Sequence, residues 1–403
     1  LYESSIKYRK LYILAINLRK DTASAWSATT GLNLILLKKQ IFIILFLFST
    51  LLAFAQKEPK ISLLTFDTGL ASHAIFGHTA LRVQNPHEDT DIVYNFGIFD
   101  FKTPNFLIKF AGGRLDYRLG IEDYNHMLLG YEYDNRQVFE QELRLSNKQT
   151  TKIIDRLEFL YRPENRYYRY GFLSKNCSTE LRDVFLNDIE DINYTPSETH
   201  KTYRSYLNDY SKVAPWFKFG INLALGSTID KNINTSELMF LPDYLSEELE
   251  KATVNNEALA GRQKKLLPNL APKKTSTWKL TPFIFFCFLF VALVLGRSRV
   301  LIQTFTVVVA LGGVIILVLT LFSAHPEVQK NYNLLWCNPL YFVSFALCFT
   351  QYKKIHKTFA TLMLLCILTT FGVWFSKIQG YDLAFIPICA SLFWINLKQM
   401  QRR

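Results

Sequence analysis

The chain has 403 residues, 49% of them hydrophobic, with 33 Phe and a formal net charge of +12. That length admits more than one domain, and such a charge raises nucleic acid as a partner. The placement of the charge excludes it: residues 1–39 hold a net +5, eight Lys and Arg border apolar C-terminal segments, and everything else sums to −1, which leaves no basic cluster to meet phosphates.

In chain order, residues 1–36 begin with Leu1 rather than Met, form no persuasive element, and read as a doubtful upstream extension. Residues 37–55 read as a signal peptide: Lys38 and Lys39 supply the charge, Ile41 to Leu52 the apolar centre, and Ala53-Phe54-Ala55 a small-x-small cleavage site before Gln56. An uncleaved anchor helix is the other reading, and either one exports the chain from Gln56 onward.

Residues 56–275 have the composition of an exported α+β domain. Lys60 to Phe66 is a strand, Phe76 to Val83 a second, and Asp91 to Gly97 returns after a turn at Asn85 to Asp89. Pairing these last two about residues 87 and 88 sets Ala80 opposite Asn95 and His78 opposite Gly97, so Asn95 lies diagonally beside His78 on one face. Asn105 to Ala111 and Asp123 to Gly130 are short helices or loops, Asn135 to Leu143 is a strand, and Ser146 caps a helix to Tyr161. Tyr167, Tyr168 and Tyr170 alternate as in a strand. A helix opens at Cys177 behind the cap Asn176, and another is expected from about Ser197 to Tyr210. Ala214 to Gly226 is apolar and aromatic but too short to cross a bilayer, and fits either a membrane surface or a buried core. Asn255 to Lys279 reads as a linker.

Residues 276–403 read as an all-α bundle of five transmembrane helices, near Leu280–Leu295, Val300–Phe322, Leu334–Phe349, Phe359–Phe375 and Ala384–Leu397. With residues 56–275 outside, Arg297, Arg299, Lys353, Lys354, Lys357, Lys398, Arg402 and Arg403 all face the cytoplasm, as does the C-terminus.

Six cysteines are present, five of them in or beside apolar helices. Cys177 is the exception, a lone thiol in a compartment that permits disulfides, at a helix N-terminus that favours the thiolate. Cysteine catalysis needs an imidazole and a group that orients it. His78 fits the first need, since His73, His87, His126 and His200 fall in loops or polar surroundings, and Asn95 fits the second. A buried inert cysteine is the alternative. No Cys/His cluster has metal-ligand spacing, and no cofactor is indicated.

The motifs Phe76-Gly77-His78-Thr79-Ala80-Leu81-Arg82-Val83, Val93-Tyr94-Asn95-Phe96-Gly97-Ile98-Phe99-Asp100-Phe101, Pro104-Asn105-Phe106 and Pro163 to Tyr170 leading into Asn176-Cys177-Ser178-Thr179 together resemble the Lnb periplasmic-domain family. His325-Pro326, Asn331 to Trp336 and Asn338-Pro339-Leu340 resemble that family's membrane part. The order of histidine and cysteine also resembles circularly permuted, papain-like NlpC/P60 enzymes. This resemblance implies an inner-membrane lipoprotein N-acyltransferase that uses His78 and Cys177, takes an acyl chain from a phospholipid, holds it as a thioester and passes it to a lipoprotein acceptor. In that reading Tyr170 is an oxyanion donor or a packing residue, and His325, Asn331 and Asn333 meet lipid headgroups or form a loop without such a task. A cell-wall peptidase and a non-enzymatic envelope assembly protein are the competing classes.

Overall fold

The computed structural model describes residues 17, 19, 37–44, 58–268, 270, 280–347 and 352–401. Residues 37–44 are helical, while the expected cleavage site at 53–55 lies outside the described residues. Pro59–Asn85 and Asp89–Arg403 belong to one compact unit.

The N-terminal part of that unit is built on an antiparallel sheet, seven-stranded among the described residues. Its strands are β1 (Lys60–Phe66), β2 (His78–Asn85), β3 (Thr90–Ile98), β4 (Asp116–Asp123), β5 (Val138–Glu142), β6 (Tyr167–Arg169) and β7 (Lys264–Lys265), in the order β7-β5-β1-β2-β3-β4-β6. Six of the seven β1 residues are buried, as a central strand covered on both faces requires. The β2–β3 hairpin pairs Leu81 with Tyr94 and Asn85 with Thr90, the register that a turn about residues 87 and 88 demands.

Helices α1 (Phe106–Ala111), α2 (Tyr124–Tyr133) and α3 (Asn147–Tyr161) follow β3, β4 and β5 in turn, the last opened by a Ser146–Gln149 capping box. Then α4 (Cys177–Asp188) lays Leu181, Val184 and Phe185 onto Leu81, Val83, Tyr94 and Phe96 of the hairpin. Burying each large apolar side chain of this cluster is worth about 1.5–3 kcal/mol, so the helix that carries Cys177 is held firmly to the strands that carry His78 and Asn95.

The structure corrects three sequence expectations. Ser197 to Tyr210 is not one helix: Glu198–Thr202 is a strand paired with Asn232–Asn234, and α5 (Tyr203–Ser211) starts where Thr202 caps the Ser205 amide. The linker reading of Asn255 to Lys279 fails in its first part, because Lys264 and Lys265 pair with β5 and the Gln137 side chain bonds both the amide and the carbonyl of Leu267. Leu334 to Phe349 is broken: a 3-10 turn ends at Leu335, and the helix Tyr341–Leu347 begins only after Asn338-Pro339. Pro339 lacks an amide and keeps Asn338 out of helical space.

The apolar stretch after residue 213 is α6 (Pro215–Ala224), with α7 (Pro242–Lys251) later on the sheet side. Helix α6 packs one side against the helical region, with Phe219 5.4 Å from Phe286 and 5.3 Å from Phe385 between ring centroids. That region contains α8 (Pro282–Gly296), α9 (Arg299–Phe322), α10 (Tyr341–Leu347), α11 (Lys353–Phe375) and α12 (Phe385–Met400). Among the described residues, α9 and α11 are long and apolar enough to cross a membrane. Val308, Leu311, Ile315, Val318 and Phe322 are exposed along α9; their three- and four-residue spacing makes one apolar stripe, the face a helix turns to lipid.

Candidate active site

Helix α4 begins at a rigid corner. Asn176 accepts the Ser178 and Thr179 amides at 2.9 and 3.0 Å through Oδ1, and donates from Nδ2 to the Phe172 and Phe240 carbonyls. The Thr179 hydroxyl accepts the Asn176 amide, completing a capping box. With the next two amides consumed by the cap, the Cys177 amide is left without an acceptor among the described residues. That one unpaired donor and the positive helix end lie beside the sulfur.

His78 opens β2 and stacks on Phe66, ring centroids 5.5 Å apart. Its Nε2 is 2.7 Å from Asn95 Oδ1, and Asn95 Nδ2 donates to Glu122 Oε1 at 3.2 Å. A carboxylate only accepts, so Glu122 fixes which end of the Asn95 amide faces the ring, and the ring must carry its proton on Nε2. Nδ1 is left to meet the thiol, with which His78 shares a hydrogen bond.

A bulge in β3 between Asn95 and Ile98 brings Gly97 into the centre of this group. Its φ is +97°, and a Cβ there would stand 3.9 Å from Cys177 Cβ, 3.9 Å from His78 Cε1 and 4.0 Å from the Tyr168 hydroxyl. Glycine is required for the backbone angle, and the three side chains meet within contact distance of it.

Burial opposes ionisation at Cys177, but the neighbouring His78 charge, its hydrogen bond and the Thr79 amide outweigh it, so the thiol is more acidic than an ordinary cysteine. At His78 burial likewise opposes the charged form, and the Cys177 thiolate and Asn95 outweigh it, raising the imidazole above its usual value. The two shifts describe one coupled pair that favours thiolate beside imidazolium.

Two polar residues at this site escaped sequence reading. Glu122 stands on β4, one strand beyond Asn95, where Val93 pairs with it; only the strand register could have pointed to it. The Tyr168 hydroxyl is buried without a hydrogen-bond partner among the described residues. Burial first, and the nearby Cys177 second, hold that phenol protonated well above its ordinary range. The alternation of Tyr167, Tyr168 and Tyr170 was legible, but not which ring turns to the sulfur.

The other expected residues have different surroundings. Tyr170 stacks on Tyr117 at 4.2 Å and lies 6.2 Å from Phe110, within an aromatic wall. Of the two readings of Asn331 and Asn333, headgroup contact or a loop without that task, their surroundings favour the second: both are buried, and their amides bind the Asn222, Leu223 and Ala224 carbonyls at the end of α6. Their oxygens accept the Asn333 amide and the Trp336 indole respectively, so these side chains are spent on clamping the loop to the sheet domain. His325 Nε2 is 2.9 Å from the Phe110 carbonyl, which ties the same loop to α1.

Comparison with known proteins agrees with this division. The family model described as the Lnb N-terminal periplasmic domain matches residues 52–209, and that described as the Lnb transmembrane domain matches residues 273–400. No curated protein and no solved structure matches. A periplasmic domain followed by a transmembrane domain fits an inner-membrane protein, and with both matches in that order the chain belongs to the Lnb family.

Proposed function

We propose that the protein is a cysteine-dependent lipoprotein N-acyltransferase, a reading supported above all by the Cys177–His78–Asn95 arrangement at the mouth of α4. The Cys177 thiolate attacks an ester carbonyl of a phospholipid. The oxyanion of the tetrahedral intermediate is met by the Cys177 amide and the Tyr168 hydroxyl, both otherwise without acceptors among the described residues. As the C–O bond breaks, His78 gives its proton to the departing lysophospholipid oxygen, and the acyl group remains on sulfur as a thioester.

In the second half the α-amine of a lipoprotein's diacylglyceryl-cysteine attacks the thioester carbonyl, His78 takes the amine proton, and the C–S bond breaks to give an amide and the free thiolate. Asn95, oriented by Glu122, keeps the imidazole tautomer that both halves need. No metal or cofactor enters either half.

The same proposal gives the helical region five crossings, with the basic residues from Arg297 to Arg299, Lys353 to Lys357 and Lys398 to Arg403 in the cytoplasm. The sheet domain then works on the outer face of the bilayer, where both lipid substrates are found.

Intact-mass analysis after incubation with phospholipid tests the chemistry. An acyl adduct on Cys177 that hydroxylamine removes, and that Cys177→Ala lacks, is the expected result; full function in Cys177→Ala sinks the reading.

A further inference from the structure

The segment between β3 and β4 carries an apolar surface that the fold does not use. Phe101, Leu107 and Ile108 are 66%, 76% and 74% exposed, grouped on one short turn and α1. Exposed apolar groups scattered singly are ordinary, but a cluster of this kind marks a surface meant to be covered.

The place where this surface is pinned identifies its cover. The Ala111 carbonyl accepts the Ser323 hydroxyl at 2.7 Å, the Gly112 carbonyl accepts the Ala324 amide at 3.0 Å, and the Phe110 carbonyl meets His325 Nε2. Gly113, with φ +65°, makes this closeness possible, since a Cβ there would lie 3.0 Å from the His325 amide nitrogen. Ser323 directly follows the last residue of α9, so α1 is fastened to the end of the helix whose exposed stripe runs from Val308 to Phe322. The apolar surface of α1 is therefore anchored at the end of a helix long and apolar enough to cross a membrane. Lys102, Lys109 and Arg114 border it, with chains long enough to reach phosphate groups while their stems stay on apolar ground.

From this surface a run of aromatic rings leads inward. Phe101 and Phe106 centroids are 5.0 Å apart, Phe106 and Phe110 6.3 Å, Phe110 and Tyr170 6.2 Å, Tyr170 and Tyr117 4.2 Å, and Tyr117 and Tyr168 6.5 Å. The Tyr168 hydroxyl and the Cys177 Cβ meet at Gly97, each within 4.0 Å of where a Cβ there would stand. Such a wall has little polar surface for a peptide or sugar to bond, and presents to a hydrocarbon chain the contacts it loses on leaving the bilayer.

We propose that Phe99 to Phe110 is the lipid entry port: α1 seats Leu107 and Ile108 in the outer leaflet, and an acyl chain of a bilayer phospholipid reaches Cys177 along Phe106, Phe110, Tyr117 and Tyr170. This rests on the acyl-transfer reading for its end point, but the contact of α1 with lipid stands independently of it.

Two measurements on the full-length protein test the port. In nanodiscs holding phospholipid and a diacylglyceryl-cysteine peptide, p-benzoylphenylalanine in place of Leu107 is expected to give, on illumination, adducts with the mass of intact phospholipid. Absence of lipid adducts, or adducts with the peptide alone, overturns the proposal. The second measurement is thioester formation on Cys177 in a Leu107→Glu, Ile108→Glu variant. It is expected to fall at least tenfold with bilayer phospholipid and to stay unchanged with a soluble short-chain acyl thioester as donor; unchanged reaction with the bilayer donor overturns the port. If the variant loses reaction with both donors, the photochemical result decides. Wild-type protein that reacts with neither donor while Leu107 still cross-links to phospholipid refutes the acyl-transfer reading and leaves the lipid contact standing.

Discussion

Asn95 joins Glu122 to His78: its Nδ2 donates to Glu122 Oε1 at 3.2 Å while its Oδ1 lies 2.7 Å from His78 Nε2. Without the carboxylate the amide is free to turn over and offer its NH2 to a ring nitrogen that already carries a proton. Glu122→Ala is therefore expected to lower kcat by about 10²-fold, the usual cost of a misplaced catalytic group, with little change in KM. Glu122→Gln keeps an acceptor oxygen and is expected to retain most of the rate. Steady-state kinetics of the two variants check this, and equal losses in both would remove the orienting role from Glu122.

The coupled pair predicts a pH signature. A thiol more acidic than usual keeps its thiolate as pH falls, and an imidazole less acidic than usual keeps its proton as pH rises. The reactive ion pair thus occupies the window between the two, on the acid side of an ordinary cysteine at about 8.5. In His78→Ala the charge and hydrogen bond that do most to oppose the effect of burial are lost, so the thiol moves up. Alkylation of Cys177 by iodoacetamide, measured by peptide mass against pH, is expected to slow at pH 7 in that variant and its profile to move toward higher pH, because less of the thiol is ionised. Identical profiles for the two proteins would contradict the pairing.

How much of this was legible depended on the range of the interactions. The β2–β3 register came from a turn between two alternating strands, so His78 and Asn95 came together from local sequence alone. The Asn176 cap and the helix at Cys177 were equally local. Glu122 was not, since nothing before the β3–β4 pairing brings it beside Asn95. The strand at Glu198–Thr202 depends on Asn232–Asn234, and β7 on β5; both pairings are long-range and overrode the local pattern. Asn331 and Asn333 looked free to meet headgroups because their partners are carbonyls of α6, more than a hundred residues away in the chain.

Tyr168 offers a test that separates acyl transfer from simple thiol reactivity. Its hydroxyl has no partner among the described residues, so Tyr168→Phe breaks no hydrogen bond of the resting fold and is expected to leave thermal stability nearly unchanged. An oxyanion forms during thioester formation but not when iodoacetamide alkylates sulfur. Tyr168→Phe is therefore expected to slow acylation by about 10²–10³-fold, the cost of one oxyanion donor, and to leave alkylation untouched. Acylation at the wild-type rate would assign the oxyanion to other donors.

The membrane loop reaches the active-site corner through Glu327. This side chain is buried, and its Oε1 accepts the Leu173 amide at 3.1 Å, four residues before Cys177. Leu173 adjoins Phe172, whose carbonyl takes one of the Asn176 bonds that set the mouth of α4. Glu327→Ala strands a buried amide, at a cost of about 1–3 kcal/mol, and the corner from Gly171 to Asn176 is expected to loosen. Hydrogen exchange at Leu173 should speed up by about 10–100-fold, since every 1.4 kcal/mol is a factor of ten, and acylation of Cys177 should slow with it. Glu327→Gln retains an acceptor for the amide and is expected to keep protection close to the wild-type level. Were exchange at Leu173 unaltered in Glu327→Ala, the helical region would be only an anchor for the sheet domain and not a support for its chemistry.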